Sequence, residues 1–381
     1  MTPHETPWPN PIRFTEVEFA ILRHIRRNPG RSRTEIAIAL DISKAMMTKA
    51  MDRFGEVGLV REDRSERNEG RGQPPVRVTL NPSAYCSIGL SLHIGELAIA
   101  TMDLAGTVTN AECRRLNGDP SALVENQMST IQRAIEESRS PVIGIGMAIP
   151  ARVDESGELF EVTPSQRMLP LLEFARAIQT RFELPVYWDN SPYCVANYEA
   201  HRPEVDTRCL FYVGFDFGVG AGLVWKDELF RGARNQAANF GALVPESGPR
   251  PYLPDLARHL GRPMEGLSLE TIDELAQSRD PALFTWIDDR AARLSMPLSA
   301  VVQLINPDQI VLGGFLPKSV LDRMIDRIDV GMLDFATRRP MTRPTIRSTD
   351  LVGVGGYAKA ACLLPVSARL LGQRTIAVGP A

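Results

Sequence analysis

The sequence predicts an α/β protein in two parts, a small N-terminal head and a larger body that meet near Asn81-Pro82. Short helical patterns and a polar hairpin fill the part before this junction, whereas the part after it contains long buried-strand patterns and glycine-rich turns. A length of 381 residues also exceeds one ordinary hydrophobic core. Hydrophobic content of 44% and charged content of 23% are those of a globular protein.

We place a flexible tail at residues 1–14, the head at 15–82 and the body at 83–381. The tail is rich in proline and lacks the charged start and apolar run of a signal peptide. No stretch of the chain reaches about 18 uninterrupted apolar residues, so we expect no association with a membrane. The five cysteines are scattered and never in C-x-x-C spacing. Free thiols in a reducing cytoplasm are therefore expected, rather than disulfides or a zinc ribbon.

The helical patterns of the head match a helix-turn-helix. Ser32 and Glu35 form a capping box at the start of a short helix. Asp41 occupies the turn that follows, where aspartate tolerates the left-handed conformation better than most residues. Ser43 then caps a further helix that runs to about Glu56.

This last helix is the candidate recognition helix, because the second helix of such a pair lies in the major groove of DNA. Its inward face is predicted to hold Ala45, Met46, Ala50, Met51 and Phe54. The candidate DNA-binding residues around it are Arg33, Ser43, Lys44, Met47, Thr48, Lys49 and Arg53. Lysine suits guanine edges or phosphates, and threonine suits a phosphate or a thymine methyl group. The helix pair alone leaves open a three-helix bundle that contacts another protein.

A predicted wing after the helices favours DNA. Residues 59–61 and 76–80 have strand patterns, and a polar segment that ends in two prolines lies between them. Within that segment Arg71 stands between two glycines, so it can enter a minor groove without obstruction from neighbouring side chains. Residues 1–82 hold 14 Lys/Arg against 11 Asp/Glu, while the whole chain has a net charge of −3. A mildly basic head on an acidic body is compatible with nucleic-acid binding.

With these features and its closing Leu80-Asn81-Pro82, the chain resembles the ROK family (repressors, open reading frames and kinases), specifically its NagC/XylR-type transcription regulators. The match covers nearly all of residues 15–365. The resemblance implies that the body has the actin-like ATPase fold of sugar kinases, with two α/β lobes around a cleft. The lobes would comprise residues 83–200 together with the C-terminal helix, and residues 201–355.

The body departs from the kinase members of this family at the positions that would carry catalysis. Ser91 stands where the resemblance implies an aspartate that holds magnesium and nucleotide phosphates, and the β-branched Ile94 obstructs the same turn. Phe217 replaces the threonine of a second phosphate loop. The general base corresponds to Ser191, whose hydroxyl cannot act as a carboxylate base near neutral pH. We therefore expect an inactive nucleotide site and no enzyme activity.

The resemblance also implies a lost zinc site. Asn239 replaces a glutamate that binds sugar hydroxyls, and Ala242 replaces a zinc-ligating histidine. No cysteine follows in this segment, and zinc needs several thiolate or imidazole ligands, so we expect no metal and no cofactor. Arg152, Asp189, Asn190 and Asn239 remain as candidate ligand-binding residues of the cleft.

Together these features predict a sequence-specific DNA-binding transcriptional regulator, a repressor of carbohydrate-related genes. Its expected partners are double-stranded operator DNA, a sugar or sugar derivative as effector, and further copies of itself in a homodimer or homotetramer. Two alternatives remain open: an active sugar kinase with a DNA-binding head, and a DNA-binding protein that responds to no ligand.

Overall fold

The computed structural model has a small head and a body with two large sheets. A three-stranded sheet belongs to the head, and sheets of six and five strands form the body. The structure describes residues 13–64, 76–93, 95–115, 123–154, 156–160, 170–203, 205, 207–244, 248–331 and 342–379. Within these ranges, no helix is long and apolar enough to cross a membrane.

The head has the predicted helix-turn-helix followed by a hairpin. Its elements are α1 (Glu16–Arg27), β1 (Arg31–Ser32), α2 (Arg33–Ala39), α3 (Lys44–Glu56), β2 (Val60–Arg64) and β3 (Val76–Leu80). The central strand β3 pairs antiparallel with both β1 and β2, so the sheet order is β1-β3-β2. This arrangement confirms the winged helix-turn-helix.

Side-chain capping bonds explain where helices α2 and α3 begin. The Ser32 hydroxyl accepts a hydrogen bond from the Glu35 N–H at 3.3 Å, and the Ser32 N–H donates to the Glu35 carboxylate at 2.8 Å. The Ser43 hydroxyl accepts from the first turn of α3 at 3.2 Å. Asp41 adopts the left-handed conformation with φ of 51°. These bonds satisfy amide groups that a helix start leaves free, as the sequence predicts.

The predicted flexible tail is too long at its C-terminal end. Phe14 is only 8% exposed and belongs to the head core. Its ring makes edge contacts with Phe19 and Phe54 at centroid distances of 5.8 and 5.7 Å. Burial of the Phe14 ring is favourable, so this residue packs with the head although the sequence pattern assigned it to the tail. Residues 1–12 lie outside the described residues.

The body follows the head after a short connection. Its elements in the first part are β4 (Cys86–His93), β5 (Glu96–Asp103), β6 (Val108–Arg115), α4 (Leu123–Glu136), β7 (Val142–Ile149), β8 (Arg152–Val153), β9 (Leu159–Phe160), α5 (Leu171–Phe182), β10 (Val186–Asn190) and α6 (Ser191–Ala200). Those of the second part are β11 (Cys209–Phe215), β12 (Val219–Trp225), β13 (Glu228–Leu229), α7 (Leu253–Leu260), α8 (Leu269–Gln277), α9 (Pro281–Ile305), β14 (Gln309–Gly314), α10 (Lys318–Ile325) and β15 (Thr345–Val352). The chain ends with α11 (Gly353–Ala361), α12 (Leu363–Leu370) and β16 (Ile376–Ala377).

The two body sheets have the mixed topology expected of the fold class. The six-stranded sheet has the order β16-β10-β7-β4-β5-β6, and the five-stranded sheet has the order β13-β12-β11-β14-β15. In each sheet an antiparallel hairpin, β4–β5 or β11–β12, lies beside parallel strands. The β4–β5 hairpin thus opens the body, at the glycine-containing strand pattern of residues 88–106.

Small residues allow α11 to lie directly on the six-stranded sheet. A Cβ atom on Gly89 would come within 2.0 Å of the Ala358 carbonyl oxygen. A Cβ atom on Gly146 would come equally close, at 2.0 Å, to the Ala361 carbonyl oxygen. Any larger residue at these two strand positions would push the helix away.

Helix α1 of the head is docked on both parts of the body. Arg26 is buried and donates to the Leu104 carbonyl, which follows β5, at 3.1 Å. Arg27 donates to the Ala200 carbonyl at the end of α6 at 3.2 Å. Arg27 also pairs with Asp227, in the turn between β12 and β13, at 2.6 Å. The head therefore contacts the segments attached to each of the two sheets.

Candidate nucleic-acid interface and ligand cleft

The exposed face of α3 has a basic beginning and an acidic end. Lys44, Thr48 and Lys49 are exposed on its first half. Asp52 and Glu56 are exposed on its second half. Negative side chains repel phosphates, whereas lysines attract them, so only the N-terminal half of the helix suits the groove of DNA.

One predicted DNA-binding residue is wrong. Met47 is only 2% exposed and packs in the head core, whereas Met46 is 45% exposed. Ala45, which was also expected inside, is exposed. The buried face of α3 is formed by Met47, Ala50, Met51 and Phe54, at the spacing of one helical stripe. The prediction was shifted by one residue at the start of the helix.

Arg53 has a structural position rather than a free surface position. Its Nη1 donates to both carboxylate oxygens of Glu18 at 3.0 and 2.9 Å, and its Nη2 donates to the Arg13 carbonyl at 2.7 Å. Its guanidinium also lies 5.3 Å from the centroid of Phe14. Glu18 is buried, so moving Arg53 to DNA would leave an unpaired buried carboxylate. The assignment of Arg53 to the DNA interface is therefore corrected.

The remaining predicted DNA-binding residues to be located are Arg33, Ser43 and Arg71. Arg33 donates to the two Glu62 oxygens at 2.5 and 2.8 Å and so ties α2 to strand β2. Ser43 is exposed but its hydroxyl accepts the capping bond of α3. Arg71 lies outside the described residues. Lys44, Thr48 and Lys49 are thus the predicted residues that the structure leaves on an open helix face.

An aromatic cluster occupies the turns that the resemblance assigns to nucleotide phosphates. The His93 ring stacks on Phe217 at a centroid distance of 5.1 Å and lies 4.7 Å from Phe315. His93 is 3% exposed, and this burial lowers its pKa to about 3. A neutral imidazole between two phenyl rings offers little to a phosphate, which needs converging N–H groups or cations. Ile94, the expected obstruction, is outside the described residues.

A buried carboxyl group lies beside this cluster. The Tyr357 hydroxyl is 2.6 Å from both carboxylate oxygens of Asp216. Burial raises the pKa of Asp216 to about 7. Sequence analysis did not single out this residue, since no motif placed its partner beside it.

Both serines at the positions that the resemblance assigns to kinase catalysis are buried. Ser91 is 0% exposed and Ser191 is 2% exposed. Neither hydroxyl has a hydrogen-bond partner among the described residues. Gly220, in the hairpin that contains Phe217, has a packing function, because a Cβ atom on it would lie 2.5 Å from Pro192 of α6. Close contact between α6 and β12 therefore accounts for glycine in this hairpin.

The four predicted ligand residues of the cleft do not share one set of contacts. Asp189 is buried and forms an ion pair with Arg231. The neighbouring Asn190 donates from its side chain to the Ala151 carbonyl at 2.9 Å. Successive side chains of a strand point to opposite faces, which separates these two. Arg152 is half-buried in β8, and Asn239 is exposed before a short 3₁₀ helix at Phe240–Leu243.

A cavity of about 320 Å³ lies on the Asp189 side of β10. Its wall includes Tyr193, Trp225, Arg231 and Gln373. Sequence analysis missed these four residues because they come from α6, β12, the loop after β13 and the C-terminal segment. The charged Arg231 between Phe230 and Gly232 was the available signal. Among the described residues, no three His, Cys, Asp or Glu side chains form a group that could hold a metal.

Comparisons with known proteins agree with this geometry. Residues 88–250 match the ROK family model, and residues 14–69 match the MarR family model. A putative xylose repressor of Caldicellulosiruptor sp. is 25% identical over 77% of this chain and 81% of its own length. The DNA-binding transcriptional repressor Mlc of Escherichia coli is 22% identical over 90% of this chain and 91% of its own. The solved structure of a ROK family transcriptional regulator, described as a homologue of the Escherichia coli MLC protein, matches with a TM-score of 0.65 at 19% identity, covering 94% of this chain and 98% of its own.

The chain therefore has a winged helix-turn-helix docked on an actin-like, kinase-type body, the fold that it shares with the solved ROK family regulator. It carries a ROK family domain behind a MarR-type N-terminal head. The resemblance inferred from the sequence is therefore confirmed.

Proposed function

We propose that the chain represses genes of carbohydrate metabolism by binding operator DNA through α3. The observation that carries this proposal is the open, basic first half of α3, with Lys44, Thr48 and Lys49 at the surface of a wing-bearing head. Relatives with repressor names over most of the chain support the sign of regulation and the carbohydrate link. The kinase-fold body then serves as a sensor.

The absence of catalysis is part of this proposal. A phosphoryl transferase needs a base and a site for the metal-bound nucleotide. The base position holds the buried Ser191, and the His93, Phe217 and Phe315 rings lie together at the phosphate turns. These side chains support a body that binds a small molecule without phosphorylating it.

An effector would act through the two-part body. Ligand binding that changes the angle between the two sheets would move the docked α1 helix, and paired heads in an oligomer would then change their spacing. Self-association is supported by Met296 and Leu304 of α9, which are each 84% exposed. The functions of the regulated genes would show whether the effector is a sugar or a sugar derivative.

Genome-wide footprinting of the bound sites tests the repressor proposal. We expect a small set of two-fold symmetric sites next to genes for carbohydrate uptake or breakdown, with higher transcription of those genes when the regulator is deleted. Binding spread without sequence preference, or sites with no relation to carbohydrate genes, would contradict the proposal.

A separate assay tests the sensor against the kinase alternative. Purified protein with labelled ATP, Mg²⁺ and a panel of hexoses and pentoses should give no sugar phosphate. Elemental analysis of the same preparation should find no stoichiometric zinc. Transfer of label to any sugar would instead establish the kinase alternative, and bound zinc would refute the predicted loss of that site.

A further inference from the structure

The cavity beside β10 has the properties of a ligand pocket that the family motifs do not indicate. Its volume of about 320 Å³ is sufficient for a small metabolite. Trp225 and Phe230 on its wall are 46% and 51% exposed, which is unusual for large apolar side chains. Apolar walls with a few polar groups are typical of small-molecule sites.

Arg231 gives the pocket a positive, incompletely bonded wall. The residue is 7% exposed, and its Nη2 forms the ion pair with Asp189. Its Nε and Nη1 atoms have no hydrogen-bond partner within the described ranges. A buried N–H group without an acceptor destabilises a protein, and an ionised oxygen is the strongest acceptor for a guanidinium. A ligand carboxylate would supply such oxygens after a small adjustment of the side chain.

On two further wall residues the unpaired atoms are side-chain oxygens, which need a hydrogen-bond donor. Gln373 and Asn197 are buried, and their side-chain oxygens have no partner among the residues that the structure describes. Their amide nitrogens are already engaged, that of Gln373 with the Asp227 carbonyl at 2.5 Å and that of Asn197 with the Ser367 hydroxyl at 3.2 Å. Hydroxyl groups on a ligand would satisfy these oxygens once the two side chains turn toward the cavity.

We propose that this pocket binds a small hydroxylated carboxylic acid of the sugar-acid class, and that its occupancy is transmitted to the head. Arg231 would bind the carboxylate, Gln373 and Asn197 the hydroxyls, and Trp225 the apolar face of the ligand. The pocket is separate from the cleft turns that the family resemblance indicates, and it shares only Asp189 with the predicted ligand residues.

The path from the pocket to the head is short. Gln373 holds the Asp227 carbonyl at 2.5 Å, and the Asp227 carboxylate pairs with Arg27 of α1 at 2.6 Å. Gln373 also contacts His201, which follows α6, at 2.7 Å. A ligand that draws Gln373 toward its hydroxyls would loosen the turn that anchors α1. This transmission rests on the proposed function, whereas binding in the pocket does not.

Calorimetry on the full chain tests the pocket. The probes are D-glucuronate and D-galacturonate, with D-glucose and D-galactose as neutral counterparts of the same ring. We expect the acids to bind and the hexoses to bind at least about tenfold more weakly, because a charge-assisted hydrogen bond is lost. Failure of both acids to bind, or equal affinity for acids and hexoses, would overturn the proposal.

Two substitutions with opposite expected effects distinguish binding from misfolding. R231Q should weaken acid binding at least about tenfold, and D189N should strengthen it because Arg231 loses its competing carboxylate. The double variant D189N/R231Q leaves no buried charge unpaired and should bind as weakly as R231Q. Unchanged acid affinity in R231Q, or weaker binding in both single variants, would contradict the assignment of Arg231.

D227N tests transmission to the head. Asparagine tolerates the positive φ of 69° at this position, so the turn should remain intact. In the wild-type protein the acid should change the affinity for operator DNA, and in D227N it should bind equally well without that change. An acid that binds through Arg231 but leaves wild-type operator affinity unchanged would refute transmission. Loss of operator binding by the ligand-free protein would instead refute the repressor proposal alone.

Discussion

His93 illustrates how a single side chain takes part in filling a kinase-type cleft. Its buried ring packs against Phe217 and Phe315, which come from two other segments of the body. The pattern of each motif predicts the loss of kinase chemistry at Ser91, Ser191 and Phe217. It does not predict the cluster, because the meeting of residues so far apart in sequence depends on the fold.

Asp216 gives a prediction for the pH dependence of stability. Burial raises its pKa from 3.8 to about 7, so between these values the folded protein binds a proton that the unfolded chain releases. Its stabilising contribution is complete below about pH 4 and is lost as the pH rises to about 7. The advantage of the wild-type protein over Asp216→Asn should therefore fall by about 1.4 kcal/mol per pH unit across this window.

Urea unfolding of both proteins at several pH values between 4 and 8 measures this difference. The titration of His93 is common to both proteins and cancels in the comparison. A difference that is constant with pH, or that grows as the pH rises, would show that Asp216 is not a buried acid with a raised pKa.

Lys49 gives a prediction for the DNA interface. Removing one phosphate contact in Lys49→Ala should weaken operator binding and lower the slope of log affinity against log salt by about 0.9 per head. Arg262→Ala is the control, because Arg262 is an exposed cation of the body with the same charge. Titration at several salt concentrations checks both, and an identical slope for Lys49→Ala and the wild-type protein would remove Lys49 from the interface.

At the scale of elements, helix α3 shows which features a local sequence pattern predicts and which it does not. The start and end of α3, its Ser43 cap and the Asp41 turn were all predictable, because each depends on residues within one or two turns. The run Ala45-Met46-Met47 contains no polar residue that fixes the phase of the helix. The choice between Met46 and Met47 as the core residue is made by packing in the head core, which the local pattern does not contain.

The corrected register makes a matched prediction. Met47→Ala removes a buried side chain and should lower the free energy of unfolding by about 2–5 kcal/mol. Met46→Ala removes an exposed side chain and should change it by less than about 0.5 kcal/mol. Chemical denaturation followed by circular dichroism measures both variants. A larger loss of unfolding free energy for Met46→Ala would show that Met46 is the core residue, as the sequence pattern predicts.

The strands of the body were the most predictable elements. Runs such as Val142–Ile149 and Gln309–Gly314 are apolar and buried, as expected for strands covered on both faces. The candidate ligand-binding residues were less predictable, since Asp189 and Asn190 adjoin in sequence yet have different partners. The pocket around Arg231 depends on four separate segments, and no spacing in the sequence connects them.

At the scale of the whole molecule, the head is docked on the body. The sequence predicted two parts joined at Asn81-Pro82, but the α1 arginines reach Leu104, Ala200 and Asp227 across the interface. These pairs are distant in sequence, so no local signal predicts them. They give a physical route by which a change in the body can reach the DNA-binding surface.

The most direct test of the account is fluorescence anisotropy of the full chain on a labelled duplex from its own promoter region. A shuffled duplex of the same composition serves as the reference. A sequence-specific repressor should bind the promoter duplex at least about 10³-fold more tightly than the shuffled one, and this affinity should fall as salt rises. Equal affinity for the two duplexes, or no binding to either, would contradict the central claim that the head reads DNA.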